Sequence, residues 1–204
     1  LETDRRLLGE RVKVLTRRLE KLQQQRETGR QRRVEIPIPS VALVGYTNAG
    51  KSTLFRSLTG TDTYVADQLF ATLDPLVRRV QLPGGSPVVI ADTVGFIREL
   101  PHELVAAFQS TLTEARGAHL LLHVIDASDP RRDERIDQVN EVLAQVGAGD
   151  IPQIRVYNKI DRLEGDPHVE RDASGEVASV WVSAAKRVGL DSLLGAVAER
   201  LACY

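Results

Sequence analysis

Eight consecutive residues, at positions 45–52, carry the pattern in this sequence that is most specific for one kind of chemistry. They read Gly-Tyr-Thr-Asn-Ala-Gly-Lys-Ser and have the spacing of a loop that wraps around a polyphosphate. The glycines let the backbone approach the phosphates, Lys51 adds a positive charge, and the Ser52 hydroxyl is placed to ligate Mg²⁺. The predicted nucleotide contacts here are Gly45, Tyr46, Thr47, Asn48, Ala49, Gly50, Lys51, Ser52 and Thr53.

A second motif follows the short apolar run at 88–91 and reads Asp92, Thr93, Val94, Gly95. An aspartate at the C-terminal end of a strand lies where ligands bind in open α/β sheets. We expect the Asp92 carboxylate to hold Mg²⁺ through water, and the backbone N–H of Gly95 to donate to a γ-phosphate. Taken alone, an Asp-x-x-Gly sequence is usually only a turn. The prediction of a nucleotide contact here depends on the position of the motif after a phosphate loop and a strand.

A third motif, Asn158-Lys159-Ile160-Asp161, follows another β-rich run. The Asp161 carboxylate is suited to accept hydrogen bonds from the N1–H and N2–H₂ edge of guanine, a donor pair that adenine does not offer. The Lys159 stem would cover the base, and Asn158 would tie this loop to the phosphate loop. The alternative is an ordinary polar corner between a strand and a loop.

Two further loops would complete such a site. Thr72 lies between the first helix and the second strand, where its hydroxyl would reach Mg²⁺ and its N–H a γ-phosphate. Hydrolysis would remove that tether and release the loop as a switch; a solvent-facing threonine is the alternative. Ala184, after the last strand, would present its N–H to guanine O6. The residues of the two loops are Phe70, Ala71, Thr72, Leu73 and Asp74, and Ser183, Ala184 and Ala185.

From residue 40 onward, apolar or β-rich runs alternate with helical patterns, as is typical of an α/β fold. A turn at Pro83-Gly84-Gly85 predicts one antiparallel edge pair. The alternation predicts a mostly parallel six-stranded sheet with helices on both faces, and the motifs described above indicate that this is a P-loop GTPase fold. The predicted strands are 41–45, 75–82, 87–92, 119–126, 153–157 and 178–183, and the predicted helices are 51–59, 102–117, 131–146 and 189–202.

The N-terminal residues 1–29 follow a different pattern, with apolar residues at 3- and 4-residue steps. This heptad seam predicts a basic amphipathic helix that needs a partner: a missing neighbouring segment, another chain or the globular domain. Residues 30–39 form a predicted linker, because Pro37 and Pro39 exclude helix. The GTP-binding domain would then span 40–204. Since the chain starts at Leu1 and contains no Met, we expect a fragment of a longer protein.

Charge is distributed unevenly along the chain. Residues 1–35 carry eleven Lys/Arg against six Asp/Glu, and residues 36–204 carry sixteen against twenty-two. A basic arm beside an acidic domain indicates contact with nucleic acid or another anionic surface; a solvated basic helix is the alternative. With one cysteine, Cys203, no apolar run long enough to span a membrane and no signal peptide, we expect a cytoplasmic protein, and a monomer.

Together these are the five motifs of a GTP-binding domain, in the required order. The segments at 70–75 and 92–97 and the arm at 1–6 resemble more closely the HflX family of translational GTPases. The resemblance implies a GTPase that binds the large ribosomal subunit and its RNA, and that helps to split or rescue stalled ribosomes. It also implies an N-terminal domain ending in a helical hairpin, of which only the last helix and the linker would be present here.

Phe96 stands just after Gly95, where many regulatory GTPases place a glutamine that orients the attacking water. We expect hydrolysis to be slow until a partner completes the site. The predicted catalytic residues are Lys51, Thr72 and Gly95, and the predicted Mg²⁺ ligands are Ser52, Thr72 and Asp92. Asn48 adds a hypothesis of a K⁺ ion beside the phosphates; the alternative is that it only shapes the loop.

Three rival interpretations remain open from the sequence. One is a GTPase coupled to tRNA modification, whose core motifs are similar. Another is a nucleotide-gated binding module in which hydrolysis is incidental. The last is an ATP-using P-loop enzyme, against which the guanine-specific carboxylate of Asp161 argues. The four histidines are expected to have core or surface roles, because none has the spacing of metal ligands. Trp181 lies in a predicted strand and is expected to be a core residue rather than one that stacks on a ligand.

Overall fold

The computed structural model describes residues 38–60, 76–93 and 115–202. The strands are β1 (Ser40–Val44), β2 (Leu76–Gln81), β3 (Pro87–Asp92), β4 (Leu120–Asp126), β5 (Gln153–Asn158), β6 (Val169–Arg171) and β7 (Val177–Trp181). The helices that lie wholly within the described ranges are α1 (Lys51–Thr59), α2 (Arg132–Gln145) and α3 (Leu190–Leu201), with a 3₁₀ turn at Ile160–Arg162.

The strands form one mixed sheet in the order β2-β3-β1-β4-β5-β7-β6. The five inner strands β3, β1, β4, β5 and β7 run parallel, and β2 and β6 are antiparallel edge strands. This confirms the predicted α/β class and mostly parallel sheet. The sheet has a seventh strand that the sequence did not indicate, because β6 is only three residues long and all of them are exposed.

Helices pack on both faces of the sheet, as predicted. On one face, Leu54 and Phe55 of α1 and Leu193 and Val197 of α3 belong to the larger core, together with apolar residues of the strands. On the other face, Val139 and Leu143 of α2 pack in a smaller core that includes Ala42, Val44 and Leu121. Burial on two faces explains why β1 and β4 are almost continuously apolar.

The predicted hairpin joins β2 to β3. Leu82 N–H donates to Ser86 O at 2.9 Å, and Gly85 N–H donates to Leu82 O at 2.9 Å. Gly84 and Gly85 have φ of 92° and 85°, which is backbone that glycine adopts without strain. The antiparallel edge pair expected from this turn is therefore present.

Several predictions from the sequence lie outside the described residues. They are the helix at 1–29, most of the linker at 30–39 and most of the helix at 102–117. The boundaries of the three predicted segments, 1–29, 30–39 and 40–204, therefore stay predictions. Among the helices that the structure does describe, none is both long and apolar enough to cross a membrane.

Candidate functional site

The described motifs meet at one edge of the sheet. The phosphate loop follows β1, Asp92 ends β3, Asn158 ends β5, and Ser183 comes two residues after β7. Because these strands are parallel, their carboxyl ends lie side by side. Residues separated by more than a hundred positions in sequence thus face a common region at this edge.

The phosphate loop is packed closely against its neighbours. Gly45 has φ of 147°, and a Cβ atom there would lie 2.2 Å from the backbone oxygen of Val124. Gly50 has φ of 95°, and its Cβ would lie 2.3 Å from Nδ2 of Asn158. Any other residue at these two positions would force its neighbours to shift. The loop leads directly into α1, whose N-terminus presents backbone N–H groups suited to an anion.

Lys51 is the first residue of α1 and is 6% exposed. Its Nζ donates to the backbone oxygens of Gly45 and Tyr46, each at 3.0 Å. Burial lowers the pKa of Lys51 to about 8, although the nearby charge of Asp92 acts in the opposite direction. A buried ammonium whose protonated form is disfavoured would gain by pairing with phosphate oxygens, which matches its predicted role.

The residues predicted to hold Mg²⁺ have suitable chemistry. Ser52 lies in the first turn of α1, and the side chain of Asp92, at the end of β3, is fully buried. Hydroxyl and carboxylate oxygens are the hard donors that Mg²⁺ prefers, and the Asp92 carboxylate is close enough to act on the Lys51 pKa. The neighbouring Thr93 is held by a hydrogen bond from Oγ1 to Leu43 O. The donor set therefore fits Mg²⁺.

Asn158 links three loops. Its Nδ2 donates to Ala49 O in the phosphate loop at 3.0 Å, and its Oδ1 accepts from Ala184 N–H at 3.0 Å. The first bond is the tie expected from the sequence. The second was not expected from the sequence, and the donation of Ala184 N–H to guanine O6 stays a prediction. A bridge between Ser183 and Val188 closes the turn that carries Ala184.

Asp161 lies in the 3₁₀ turn after β5, and its side chain is exposed. Its Oδ1 accepts a hydrogen bond from Oγ of Ser183, a residue that is only 1% exposed. Ser183 Oγ in turn accepts from Lys186 N–H at 3.2 Å, and Ala185 lies between them in the same turn. One oxygen of the carboxylate predicted to bind guanine is thus held by a hydroxyl group of the neighbouring loop.

Two residues that connect these loops were not found from the sequence. Oγ of Ser57, on α1, lies 2.9 Å from Thr53 O and 2.8 Å from Ala184 O, so it joins the helix to the last loop. Asp126, at the end of β4, pairs with Lys159 at 2.7 Å. A signal for Asp126 was present, because it ends an apolar strand just as Asp92 does. Ser57 gave no signal, since its partner loop is 127 positions away.

Some of the remaining predicted nucleotide contacts lie among the described residues, and the others lie outside them. The Arg135 guanidinium lies over the ring of Tyr46, with 4.7 Å between Cζ and the ring centroid. Asn48 has φ of 60°, in the left-handed region. Thr47 and Thr53 lie in or next to the phosphate loop. Among the described residues no cluster of His, Cys, Asp and Glu could hold a metal by itself. Outside the described residues lie Phe70, Ala71, Thr72, Leu73, Asp74, Val94 and Gly95.

Comparison with known proteins supports the same interpretation. The sequence pattern of a family described as "50S ribosome-binding GTPase" matches residues 40–159. The "GTPase HflX" of Escherichia coli (strain K12) is 54% identical over 202 residues, covering 98% of this chain and 47% of that protein. The "GTPase HflX" of Caldanaerobacter subterraneus subsp. tengcongensis is 53% identical, covering 98% of this chain and 46% of that protein. The chain thus spans about half the length of these relatives.

A solved structure resembles the chain over most of its length. It is a GTP-binding protein from the archaeon Sulfolobus solfataricus in complex with GDP, with a TM-score of 0.64 and 29% sequence identity. The similarity covers 95% of this chain and 60% of that one. The family match covers β1 to β5, the phosphate loop and the first two residues of the guanine motif, Asn158 and Lys159. This chain therefore belongs to the family of 50S ribosome-binding GTPases and, within it, to the HflX GTPases.

Proposed function

We propose that this chain binds GTP and GDP with Mg²⁺, and that it hydrolyses GTP as a conformational switch on the large ribosomal subunit, to split or rescue stalled ribosomes. The observation that carries the nucleotide part is the position of Asn158. This buried side chain joins the phosphate loop to the loop that follows β7, so a single nucleotide would be read at both ends. The GDP complex of the similar archaeal protein supports the same ligand class.

In the proposed mechanism, the N-terminus of α1 and the Lys51 ammonium bind the phosphates. Ser52, Thr72 and Asp92 would hold Mg²⁺, which supplies charge neutralisation at the outer phosphates when bound. The Asp161 carboxylate accepts the hydrogen bonds of the guanine edge, and Ser183 keeps one of its oxygens in place. Rejecting ATP follows, because an adenine would not supply the N–H donors that the guanine edge offers to this carboxylate.

Turnover is proposed to depend on a partner. Thr72 and Gly95 would contact the γ-phosphate, and loss of that phosphate would release both contacts. Phe96 has no hydrogen-bonding group to orient a water molecule. A partner that completes the site could raise the rate by up to about 10⁵-fold, since phosphoryl transfer depends on positioning and charge.

The large ribosomal subunit and its RNA are the proposed partner, in the cytoplasm. The family description and the HflX relatives support this assignment. The basic composition of residues 1–35 is consistent with RNA contact. Because the chain spans about half of its relatives, ribosome splitting is proposed for the whole protein, and subunit binding for this part.

A K⁺ ion beside Asn48 stays a prediction. The backbone oxygen of Asn48 accepts from the Lys159 ammonium at 2.6 Å, so positive charge already lies next to this part of the loop. A K⁺-dependent site would hydrolyse GTP faster in K⁺ than in Na⁺ at equal ionic strength. Equal rates would reject the ion and leave Asn48 as a residue that shapes the loop.

Cosedimentation with isolated large subunits tests the ribosome part of the proposal. We expect the chain to pellet with the subunits in a non-hydrolysable GTP analogue and to remain in the supernatant in GDP. Hydrolysis should also rise when subunits are added. Binding without any rise in hydrolysis would instead favour a nucleotide-gated binding module, and a lack of binding in both states would favour a GTPase with another partner, such as tRNA.

A further inference from the structure

The carboxylate of Asp126 lies against the loop that we propose binds guanine. Its Oδ2 accepts a hydrogen bond from Lys159 Nζ at 2.7 Å, and the two side chains are only 16% and 20% exposed. The same ammonium donates to the backbone oxygen of Asn48, in the phosphate loop, at 2.6 Å. Lys159 therefore bridges the end of β4 and the phosphate loop.

Asp126 is itself held in place. Its Oδ1 accepts from Ser128 N–H at 3.0 Å and from Ser128 Oγ at 2.6 Å. The next residue, Ala127, donates its N–H to Asn158 O at 2.8 Å, which fixes the loop against β5. Burial by itself raises the pKa of Asp126, but the bonds from Lys159 and Ser128 outweigh that effect and the pKa lies below its ordinary value. One oxygen is thus fixed by the loop while the other faces Lys159.

Lys159 has an unusual backbone conformation and a flexible side chain. Its φ is 68°, in the left-handed region that lysine rarely adopts. A lysine side chain also has four rotatable bonds and samples many rotamers when it is free. The bonds to Asp126 and Asn48 select one of those conformations before any nucleotide arrives, which is a form of preorganisation.

We propose that Asp126 is a positioning residue for guanine nucleotides, which acts by holding the Lys159 side chain across the phosphate loop, where its stem covers the base. The inference rests on the proposed function, because it assumes that GTP and GDP bind at these loops. Asp126 lies outside the five sequence motifs and touches the nucleotide only through Lys159.

The first experiment compares Asp126→Asn with wild type for binding of GDP in the presence of Mg²⁺. We expect the dissociation constant to rise about tenfold, mainly through faster release, because the amide keeps the shape of the carboxylate but loses its charge. Asp137→Asn is a matched control, since Asp137 is an exposed aspartate on α2, and it should leave GDP binding unchanged. Unchanged GDP binding in Asp126→Asn would overturn the proposal.

A double-mutant cycle tests whether Asp126 acts through Lys159. In a Lys159→Met background, Asp126→Asn should cause no further loss of GDP affinity beyond about twofold, because the group that it positions is already absent. Independent, multiplicative losses in the double variant would show that Asp126 acts by another route, and would reject the proposed role.

Loss of the fold is separated from loss of positioning by thermal unfolding of each variant without nucleotide. If Asp126→Asn fails to fold, Ser128→Ala provides the second test, because it removes only the hydroxyl bond to Asp126 Oδ1. We expect it to weaken GDP binding by about two- to fivefold. Unaltered binding in a folded Ser128→Ala protein would then count against the role of Asp126. Failure of wild type to bind GDP would reject the proposed function itself.

Discussion

At the scale of single residues, Asn158 is the side chain on which the proposed nucleotide site depends most. Its side chain is 2% exposed, and both of its polar atoms are used, one by the phosphate loop and one by the loop after β7. An amide in this position is suited to the task because it both donates and accepts. Whatever moves Asn158 should therefore disturb both ends of the nucleotide site together.

Gly50 offers a direct test of that contact. Gly50 and Gly84 have nearly equal φ, 95° and 92°, but a Cβ at Gly50 would meet Asn158 Nδ2 at 2.3 Å, whereas none of the described atoms lies within 4 Å of a Cβ at Gly84. Gly84→Ala should cost about 1–2 kcal/mol of unfolding free energy, from backbone strain alone. Gly50→Ala should cost about 1–3 kcal/mol more and weaken GDP binding at least about tenfold, since buried Asn158 bonds are displaced.

Urea unfolding and calorimetry of the two alanine variants provide the measurement. Since the two glycines have nearly equal φ, we expect the difference between the variants to report the contact with Asn158. Equal stability and equal GDP binding in both variants would mean that Asn158 adapts at no cost, and would contradict its proposed role as a rigid link.

Lys51 predicts a pH dependence of nucleotide binding. Burial lowers its pKa to about 8, and phosphate oxygens would raise the pKa again on binding, so binding takes up a proton at alkaline pH. The GDP dissociation constant should therefore rise roughly fourfold between about pH 7 and about pH 8.5. Calorimetry in two buffers with different ionisation enthalpies would detect the proton uptake. A constant affinity over this range would show that Lys51 stays protonated in the free protein.

At the scale of elements, β4 carries a buried histidine beneath α2. His123 is 1% exposed and lies beside Val44 of β1 in the sheet register. Burial lowers its pKa to about 4, and the charges of Arg155 and Lys51 act in the same direction. The fold therefore holds this imidazole in its neutral form.

This burial predicts a loss of stability in acid. The pKa of His123 in the folded state lies below the ordinary value of 6.5. The contribution of neutral His123 to the free energy of unfolding is therefore fully present above pH 6.5, and it is lost as the pH falls toward about 4. The loss from this group should reach about 3 kcal/mol. The free energy of unfolding, measured in urea, should differ less between about pH 4.5 and about pH 7 in His123→Leu than in wild type. His168→Gln, at an exposed position, should leave that difference unchanged. An equally steep loss in His123→Leu would contradict this assignment.

The same elements show how far sequence reasoning reaches. The inner strands, and the helices that lie wholly within the described residues, were predicted to within one or two residues, because burial on two faces leaves apolar runs that local pattern reveals. Strand β6 was missed, because a short, exposed edge strand has no such pattern. The phosphate and guanine motifs were readable because their chemistry fixes both residue type and spacing.

The links between the loops were less predictable. Ser57 reaches Ala184 across 127 positions, and Lys159 reaches Asp126 across 33. Such contacts depend on strand order and on the conformation of each loop, and the spacing of neighbouring residues in the sequence predicts neither of these. The bond from Ala184 N–H to Asn158 is the clearest example, because the motif indicated a functional loop but not the direction of its N–H group.

At the scale of the whole molecule, the chain contains a GTPase fold and about half the length of its HflX relatives. Nucleotide recognition is a property that this part should retain by itself, since its loops are joined within one sheet. The proposed action on ribosomes, in contrast, is assigned to the whole protein. This division of roles predicts that the present chain binds nucleotide as tightly as the longer protein does. It also predicts that the present chain binds the large ribosomal subunit more weakly than the longer protein does.

The central claim is that a guanine nucleotide is held between the phosphate loop and Asp161. Calorimetry with Mg²⁺ should compare GDP and ADP on the same preparation, whose folding is verified by a cooperative thermal transition. We predict that GDP binds at least about 10³-fold more tightly than ADP, because adenine would not supply the N–H donors that the guanine edge offers to the Asp161 carboxylate. Equal affinity for the two nucleotides, or no GDP binding by folded protein, would contradict the account.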